Sequence, residues 1–252
     1  MSDEIQETNM ARFHLAASAW QSDAALTGDE ARHLSQVLRM KVGEEISVFD
    51  GEGRRARAEI LGISRERVTL RIGEIQVSRP PLPQILLAQA IPKGKNMDLI
   101  VQKAVELGIA SIQPLVTRNT VVQPGEGKSV KWRRNAMEAC KQCGQDRVPE
   151  IGEPQNFETW LAAQTGDGSL KLMASLAEGA MPLRAVLRSH PGTSAATWLV
   201  GPEGDFTAQE TAAALAAGFL PVSLGEIVLR VETATLYGLS ALRYEFSELA
   251  EG

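Results

Sequence analysis

Glu203, Arg230 and Glu232 are the residues of this chain whose types and surroundings could do chemistry. Glu203 lies in Leu199-Val200-Gly201-Pro202-Glu203-Gly204-Asp205-Phe206, where an apolar run ends in a Gly-Pro-Glu-Gly turn. A purely structural turn has no need of a carboxylate between glycines. Arg230, Glu232 and Thr233 follow a second apolar run and a Leu224-Gly225 turn, where the segment gives way to a helix. A carboxylate beside a ligand is the kind of group that takes a proton; an arginine is the kind that steadies developing negative charge. An acid near a helix start is also favoured by the helix dipole alone, so Glu232 has a purely structural reading as well. Glycine at a strand end lets the backbone approach a ligand closely. Two such turns, each after a strand, point to a pocket built from main chain at the carboxyl ends of parallel strands.

The elements that must hold these turns follow from periodicity. Beyond residue 83 the pattern alternates between strand and helix. Strands are expected at Gln84–Ile91, Ala110–Val116, Leu170–Ala174, Thr197–Val200 and Pro221–Leu224, with a short one at Val148–Ile151. Helices are expected at Met97–Leu107 (closed by Gly108), Lys128–Cys143, Asn156–Ala163, Leu183–Arg188, Ala208–Ala217 and Ala234–Leu249. Such alternation implies a parallel sheet covered on both faces. Thr165-Gly166-Asp167-Gly168 reads as a loop. Before residue 78 the pattern differs. Thr27-Gly28-Asp29-Glu30 fits a capping box opening a helix to about Met40, with Leu34, Val37 and Leu38 inward. Short strands follow at Ile46–Phe49, Arg55–Leu61 and Arg67–Ile72, with a hairpin turn at Asp50-Gly51-Glu52-Gly53. This predicts a small β-barrel over residues 11–78, decorated by Arg54, Arg55, Arg57, Arg65, Arg67 and Arg71. Ser78-Arg79-Pro80-Pro81-Leu82-Pro83 excludes helix and central strand. A domain boundary is placed there, with the second domain at 79–252.

The bulk composition excludes several classes. No apolar run approaches the roughly 20 residues of a membrane span. Met1–Met10 is polar and acidic, unlike a signal or transit peptide, and reads as a frayed tail. Cys140 and Cys143 are the chain's two cysteines, too few for a disulfide framework, and a reducing cytoplasm is the expected setting. Both cysteines lie within a helical pattern, one toward its apolar side, and His14, His33 and His190 are scattered, so neither zinc nor a redox pair is expected. Gly127-Lys128-Ser129 lacks the upstream glycine of a phosphate-binding loop, because position 122 is Val122. The overall charge of −5 hides an uneven distribution: net −3 over residues 1–78, +5 over 79–150 and −7 over 151–252. The basic middle third could form a local patch for an anionic polymer.

Leu-Val-Gly-Pro-Glu-Gly (199–204) and Leu-Gly-x-x-Val-Leu-Arg-x-Glu-Thr-Ala (224–234) resemble the ribosomal RNA small-subunit methyltransferase E family. Its members are the 16S rRNA (uracil-1498-N3)-methyltransferases of the SPOUT superfamily. Arg12-Phe13, His33-Leu34-x-x-Val37-Leu38-Arg39, Lys93-Gly94-Lys95 to Asp98, Gln102-Lys103-x-x-Glu106-Leu107-Gly108 and Cys143-Gly144-x-x-Arg147-Val148-Pro149-Glu150-Ile151 match as well. The resemblance covers nearly the whole chain. It implies an α/β fold: a SPOUT-type parallel sheet with a C-terminal trefoil knot, preceded by a small PUA-like β-barrel that binds RNA. General topology rules would have argued against a knot. It also implies a homodimer and S-adenosyl-L-methionine as cofactor. Three loops would hold that cofactor, through Ala174 and Leu176, through Leu199, Gly201, Pro202 and Gly204, and through Leu224, Gly225, Ile227 and Leu229. Two positions depart from the family pattern. Asp205 stands where glycine is frequent, which could alter that loop. Gln145 stands where arginine is common, which could remove an RNA contact.

The same resemblance frames the mechanism. Glu203 or Glu232 would take the N3 proton of uracil, directly or through water, and Arg230 would stabilise charge on the carbonyl oxygens. N3 lies on the pairing edge, so the base must be unpaired or flipped out. Arg12, His33, Arg39, Lys93, Lys95, Arg118 and Arg147 are the expected RNA-facing residues, with 16S rRNA or the small ribosomal subunit as partner. No metal and no membrane partner are expected. The competing readings are a SPOUT RNA methyltransferase with another target, a non-catalytic RNA-binding assembly factor, and a dinucleotide-binding oxidoreductase.

Overall fold

The computed structural model of the protein describes residues 10–20, 23–122, 124–125, 127–164 and 168–247. The expected tail over Met1–Met10 and the loop at 165–168 therefore fall largely outside the described residues. Two compact units are present. One takes the chain up to Pro80 together with Met137–Val148; the other takes Pro81–Ala136 and the chain from Pro149 onward.

The first unit holds β1 (Arg12–His14), β2 (Ala25–Thr27), α1 (Gly28–Arg32), β3 (Glu45–Phe49), β4 (Arg54–Ile63), β5 (Arg67–Ile72) and β6 (Gln76–Val77). Strands β3, β4 and β5 are antiparallel neighbours. The turn between β3 and β4 is the Asp-Gly-Glu-Gly segment, where Asp50 Oδ1 accepts the N–H groups of Glu52 and Arg54 at 2.8 and 2.9 Å. The three-residue strands β1 and β2 are too short to show a period in sequence. They extend the sheet to β1-β3-β4-β5-β2, with β6 on β4. Alternation sends Ile46, Val48, Ala58, Ile60, Val68 and Leu70 into one core with Phe13, Leu26 and Leu34.

The first helix differs from expectation in two ways. Thr27 makes no side-chain cap bond: Gly28 directly after it is at φ 58, outside helical geometry, and the Glu30 carboxylate pairs with Lys141. The α-helix is also short: from His33 to Leu38 the winding is π-helical, and the Arg39 N–H reaches the Leu34 carbonyl five residues back. Wider winding carries later side chains around the axis. Leu34 stays buried, whereas Val37 and Leu38, expected inward, are 68% and 44% exposed.

The second unit is an all-parallel sheet of β7 (Gln84–Ala90), β8 (Ser111–Val116), β9 (Glu150–Ile151), β10 (Gln155–Asn156), β11 (Leu170–Ala174), β12 (Met181–Pro182), β13 (Ala195–Val200) and β14 (Leu220–Ser223). The order is β10-β8-β7-β13-β11-β14-β12, with β9 on β8. The helices are α2 (Asn96–Glu106), α3 (Lys128–Cys143, whose last turns belong to the first unit), α4 (Phe157–Ala162), α5 (Leu183–Arg188), α6 (Ala208–Ala216) and α7 (Val231–Phe246). Leu107 closes α2 and Gly108 follows in the left-handed region. One face of the sheet packs Ala88, Leu115, Met173 and Leu199 against α4 and α6. On the other, α7 packs on β13, α2 and α5. Near-continuous apolar strands such as Ala195–Val200 are the sequence mark of this two-sided burial.

Helix α7 lies close because Gly238 leaves room for an indole. A Cβ there would fall 2.2 Å from Trp198 Cε2. Trp198 is fully buried in β13 and cannot retreat. Gly238→Ala is expected to destabilise the protein by roughly 1–3 kcal/mol, read as a fall in thermal unfolding temperature.

Candidate active site

Three neighbouring strands, β13, β11 and β14, release their chains at the same edge of the sheet. The loops that follow them, at 174–176, 200–205 and 224–231, line one pocket of ≈ 530 Å³, closed on another side by Asn96 and Glu232. That size lies within the range of small-molecule sites. The strand ends are placed by hydrogen-bond ladders, Met173 against Leu199 and Ala174 against Val222. Gly225 supports the third loop with φ 124, a conformation that side chains rarely adopt.

Glu203, Arg230 and Glu232 all face this pocket. Glu203 Oε1 accepts the backbone N–H of Lys93 at 2.9 Å. Arg230 is the N-cap residue of α7 in extended conformation, and Glu232 lies in its first turn. Asn96 Nδ2 donates to Glu232 Oε2 at 3.3 Å. The start of α7 is tied down by a buried pair, Thr235 Oγ1 donating to Gln89 Oε1 at 2.6 Å. The site therefore combines main chain, two carboxylates, one guanidinium and the apolar, exposed side chains of Leu176, Ile227 and Val228.

Among the residues expected to hold a cofactor, Ala174, Leu176, Gly201, Pro202, Leu224, Gly225, Ile227 and Leu229 line the pocket. Leu199 is buried in the core beneath it. Gly204 packs against Asn119, whose Nδ2 donates to the Gly204 and Asp205 carbonyls at 2.9 Å each. Sequence reasoning passed over Asn96, Asn119, Gln89 and Glu210. Glu210 carried a signal: Thr207-x-x-Glu210 forms the capping box of α6, and Glu210 Oε1 also accepts the Arg118 N–H at 2.9 Å.

The expected RNA-facing residues are differently placed. Lys93, Lys95, Arg118 and Arg39 are exposed. His33 lies edge-on to Phe13 at 5.9 Å. Arg12 is engaged within the first unit: it donates to the Gln145 carbonyl and to Asp146, its guanidinium lies over Phe49, and its side chain is 11% exposed. Arg147 donates to the Ser78 carbonyl and lies across Gly53. Burial, and then neighbouring Cys143, pushes the Cys140 thiol up to about 12. Among the described residues no group of three His, Cys, Asp or Glu could hold a metal, and no helix is long and apolar enough to cross a membrane.

The chain matches the model of an RNA methyltransferase domain over residues 78–243 and of an RNA methyltransferase PUA domain over 26–73. It is 31% identical to the ribosomal RNA small subunit methyltransferase E of Synechocystis, over 88% of this chain and 73% of that protein. The chain belongs to the ribosomal RNA small subunit methyltransferase E family. The Bacillus subtilis relative of the same name is 29% identical over 96% of this chain and 99% of its own. Among solved structures, the small subunit methyltransferase E of Neisseria gonorrhoeae bound to S-adenosyl methionine superposes with a TM-score of 0.85 at 32% identity, covering 94% of this chain and 98% of that one.

The departure of this methyltransferase at Asp205 has a geometric meaning. Asp205 adopts φ 55, the left-handed region where glycine is at ease, and its Oδ1 accepts the Phe206 N–H at 2.8 Å. Aspartate tolerates that region better than most side chains because of such local bonds. Asp205→Gly should leave the unfolding temperature unchanged or raised. Asp205→Val, β-branched at positive φ, should lower stability by about 1–2 kcal/mol, measured in the same melts.

Proposed function

We propose that this protein transfers a methyl group from S-adenosyl-L-methionine to N3 of uracil-1498 in 16S rRNA. The observation that carries this reading is the convergence of Glu203, Arg230 and Glu232 on a main-chain pocket at three strand ends, in a chain of this family. The residues present fit the cofactor. Backbone at the strand ends can meet the edge of an adenine, and Leu176, Ile227 and Val228 can cover its ring. When bound, S-adenosylmethionine supplies an electrophilic methyl group.

The protein's own residues do the rest. Uracil N3 is a poor nucleophile while it carries its proton. Glu203 or Glu232 accepts that proton as the new N–C bond forms, the C–S bond breaks and its electron pair stays on sulfur. Arg230, held at the start of α7, opposes the negative charge that builds on the uracil carbonyl oxygens. Lys93, Lys95, Arg118 and Arg39 face phosphates, which gives affinity more than sequence choice. Arg12 and Arg147 support this by holding the first unit together. The domain expected at 11–78, to which Met137–Val148 adds in the fold, would act as the RNA-binding unit, and the rest of 79–252 as the catalytic one.

A trefoil knot through the pocket loops belongs to the same reading. A homodimer acting on rRNA or the small subunit in the cytoplasm completes the proposal.

Calorimetry should detect S-adenosylmethionine binding, and mass spectrometry of 16S rRNA from a strain lacking the protein should show unmethylated uracil-1498, restored by the purified enzyme. Methylation found at another atom or nucleotide would overturn the assignment. Glu232→Gln and Arg230→Ala should each lower kcat by roughly 10²–10³-fold while cofactor binding changes little. Lys93→Ala with Lys95→Ala should raise the KM for RNA.

A further inference from the structure

The two carboxylates of the pocket are held in different ways. Glu232 is supported by one long bond from a neutral side-chain amide, Asn96 Nδ2 at 3.3 Å. Glu203 accepts a main-chain donor, the Lys93 N–H, at 2.9 Å. That N–H belongs to the loop between β7 and α2, which carries Lys93, Gly94 and Lys95, all exposed. Among the described residues no carboxylate pairs with either lysine ammonium. The carboxylate-to-amide bond is charge-assisted, roughly twice as strong as a neutral one. It ties the Gly201–Asp205 turn to the lysine loop. From the other side, Asn119 donates to the Gly204 and Asp205 carbonyls, and its neighbour Arg118 is exposed. The pocket turn is therefore held by one bond system reaching from each of two basic loops.

We propose that Glu203 is a positioning residue: it fixes the Lys93-Gly94-Lys95 loop against the pocket turn so that the lysines meet RNA phosphate at a set distance from the methyl-transfer site. Glu232 is then the proton acceptor. Protonating Glu203 would turn its charge-assisted bond to the Lys93 N–H into a neutral one and loosen the loop, whereas Glu232 carries only the long contact from Asn96. The inference rests on the methyltransferase function proposed above.

The test compares Glu203→Ala and Glu203→Gln in the full-length protein. The glutamine side-chain oxygen can still accept the Lys93 N–H but cannot take a proton as a carboxylate does. Glu203→Ala should raise the KM for 16S rRNA about tenfold, the loss of one charge-assisted bond at roughly 1.4 kcal/mol per decade. Glu203→Gln should return KM to within about threefold of wild type and keep the acid limb of the pH–rate profile. If Glu203→Gln loses kcat as severely as Glu232→Gln, or loses that acid limb, Glu203 is the base and the proposal is wrong. Hydrogen exchange gives a readout independent of activity. The Lys93 amide should lose protection in Glu203→Ala and keep it in Glu203→Gln; equal protection in both would overturn the latch even in active enzyme. Wild-type protein in the same assay separates the two levels: absent methylation with a protected Lys93 amide removes the function but not the latch.

Discussion

The position of helix α7 against the sheet is the constraint on which the candidate active site depends. Two contacts set it. Gly238 admits the Trp198 indole where any side chain would collide, and Thr235 meets Gln89 in a buried hydrogen bond. The first fixes the distance between helix and β13, and the second fixes its rotation and register along β7. An unmade bond at Gln89 would leave a buried polar group without a partner, at a penalty of about 1–3 kcal/mol. With α7 locked in this way, its first turn projects Arg230 and Glu232 toward the three strand-end loops. The guanidinium and carboxylate are thus placed by packing several residues further along the helix.

The pocket is bounded by loops at three strand ends, where the chain takes small or strained positions. Gly225 and Asp205 both occupy positive φ. Asp205 manages this without being glycine because its own carboxylate accepts the next N–H, while Asn119 holds its carbonyl. The residues that stiffen the pocket are largely polar side chains bonded to backbone: Glu203 to Lys93, Asn119 to Gly204 and Asp205, Glu210 to Arg118. Each joins segments roughly 80 or more residues apart in the chain, and each leaves an exposed basic residue beside the bond.

The two Thr-x-x-Glu sequences show where local reading succeeds and where it fails. Thr207 to Glu210 forms a full capping box, with the Glu210 carboxylate on the Thr207 N–H and the Thr207 hydroxyl accepting the Glu210 N–H. Thr27 to Glu30 has the same spacing and forms none: Gly28 is at φ 58 and the Glu30 carboxylate pairs with Lys141. The local difference is the residue after the threonine, Gly28 at φ 58 in one and Ala208 in the other. The winding of the segment after α1 is similar. The helical period placed Val37 and Leu38 inward, yet a π-helical turn takes them outward while Leu34 stays in the core.

What the sequence determined by itself was the alternation of elements in the second unit, the break in regular structure over residues 78–83 and the turns that carry Glu203, Gly225 and Arg230. These are local signals: apolar period, proline geometry and glycine at strand ends. The resemblance to a family, carried by ordered motifs, supplied the chemistry. The tertiary structure alone decided the strand order that brings 174–176, 200–205 and 224–231 together, and the partners of Glu203, Glu232 and Asn119. Hydrogen bonds between segments far apart in the chain have no periodicity and leave no local trace, so they become visible only once the sheet has assembled.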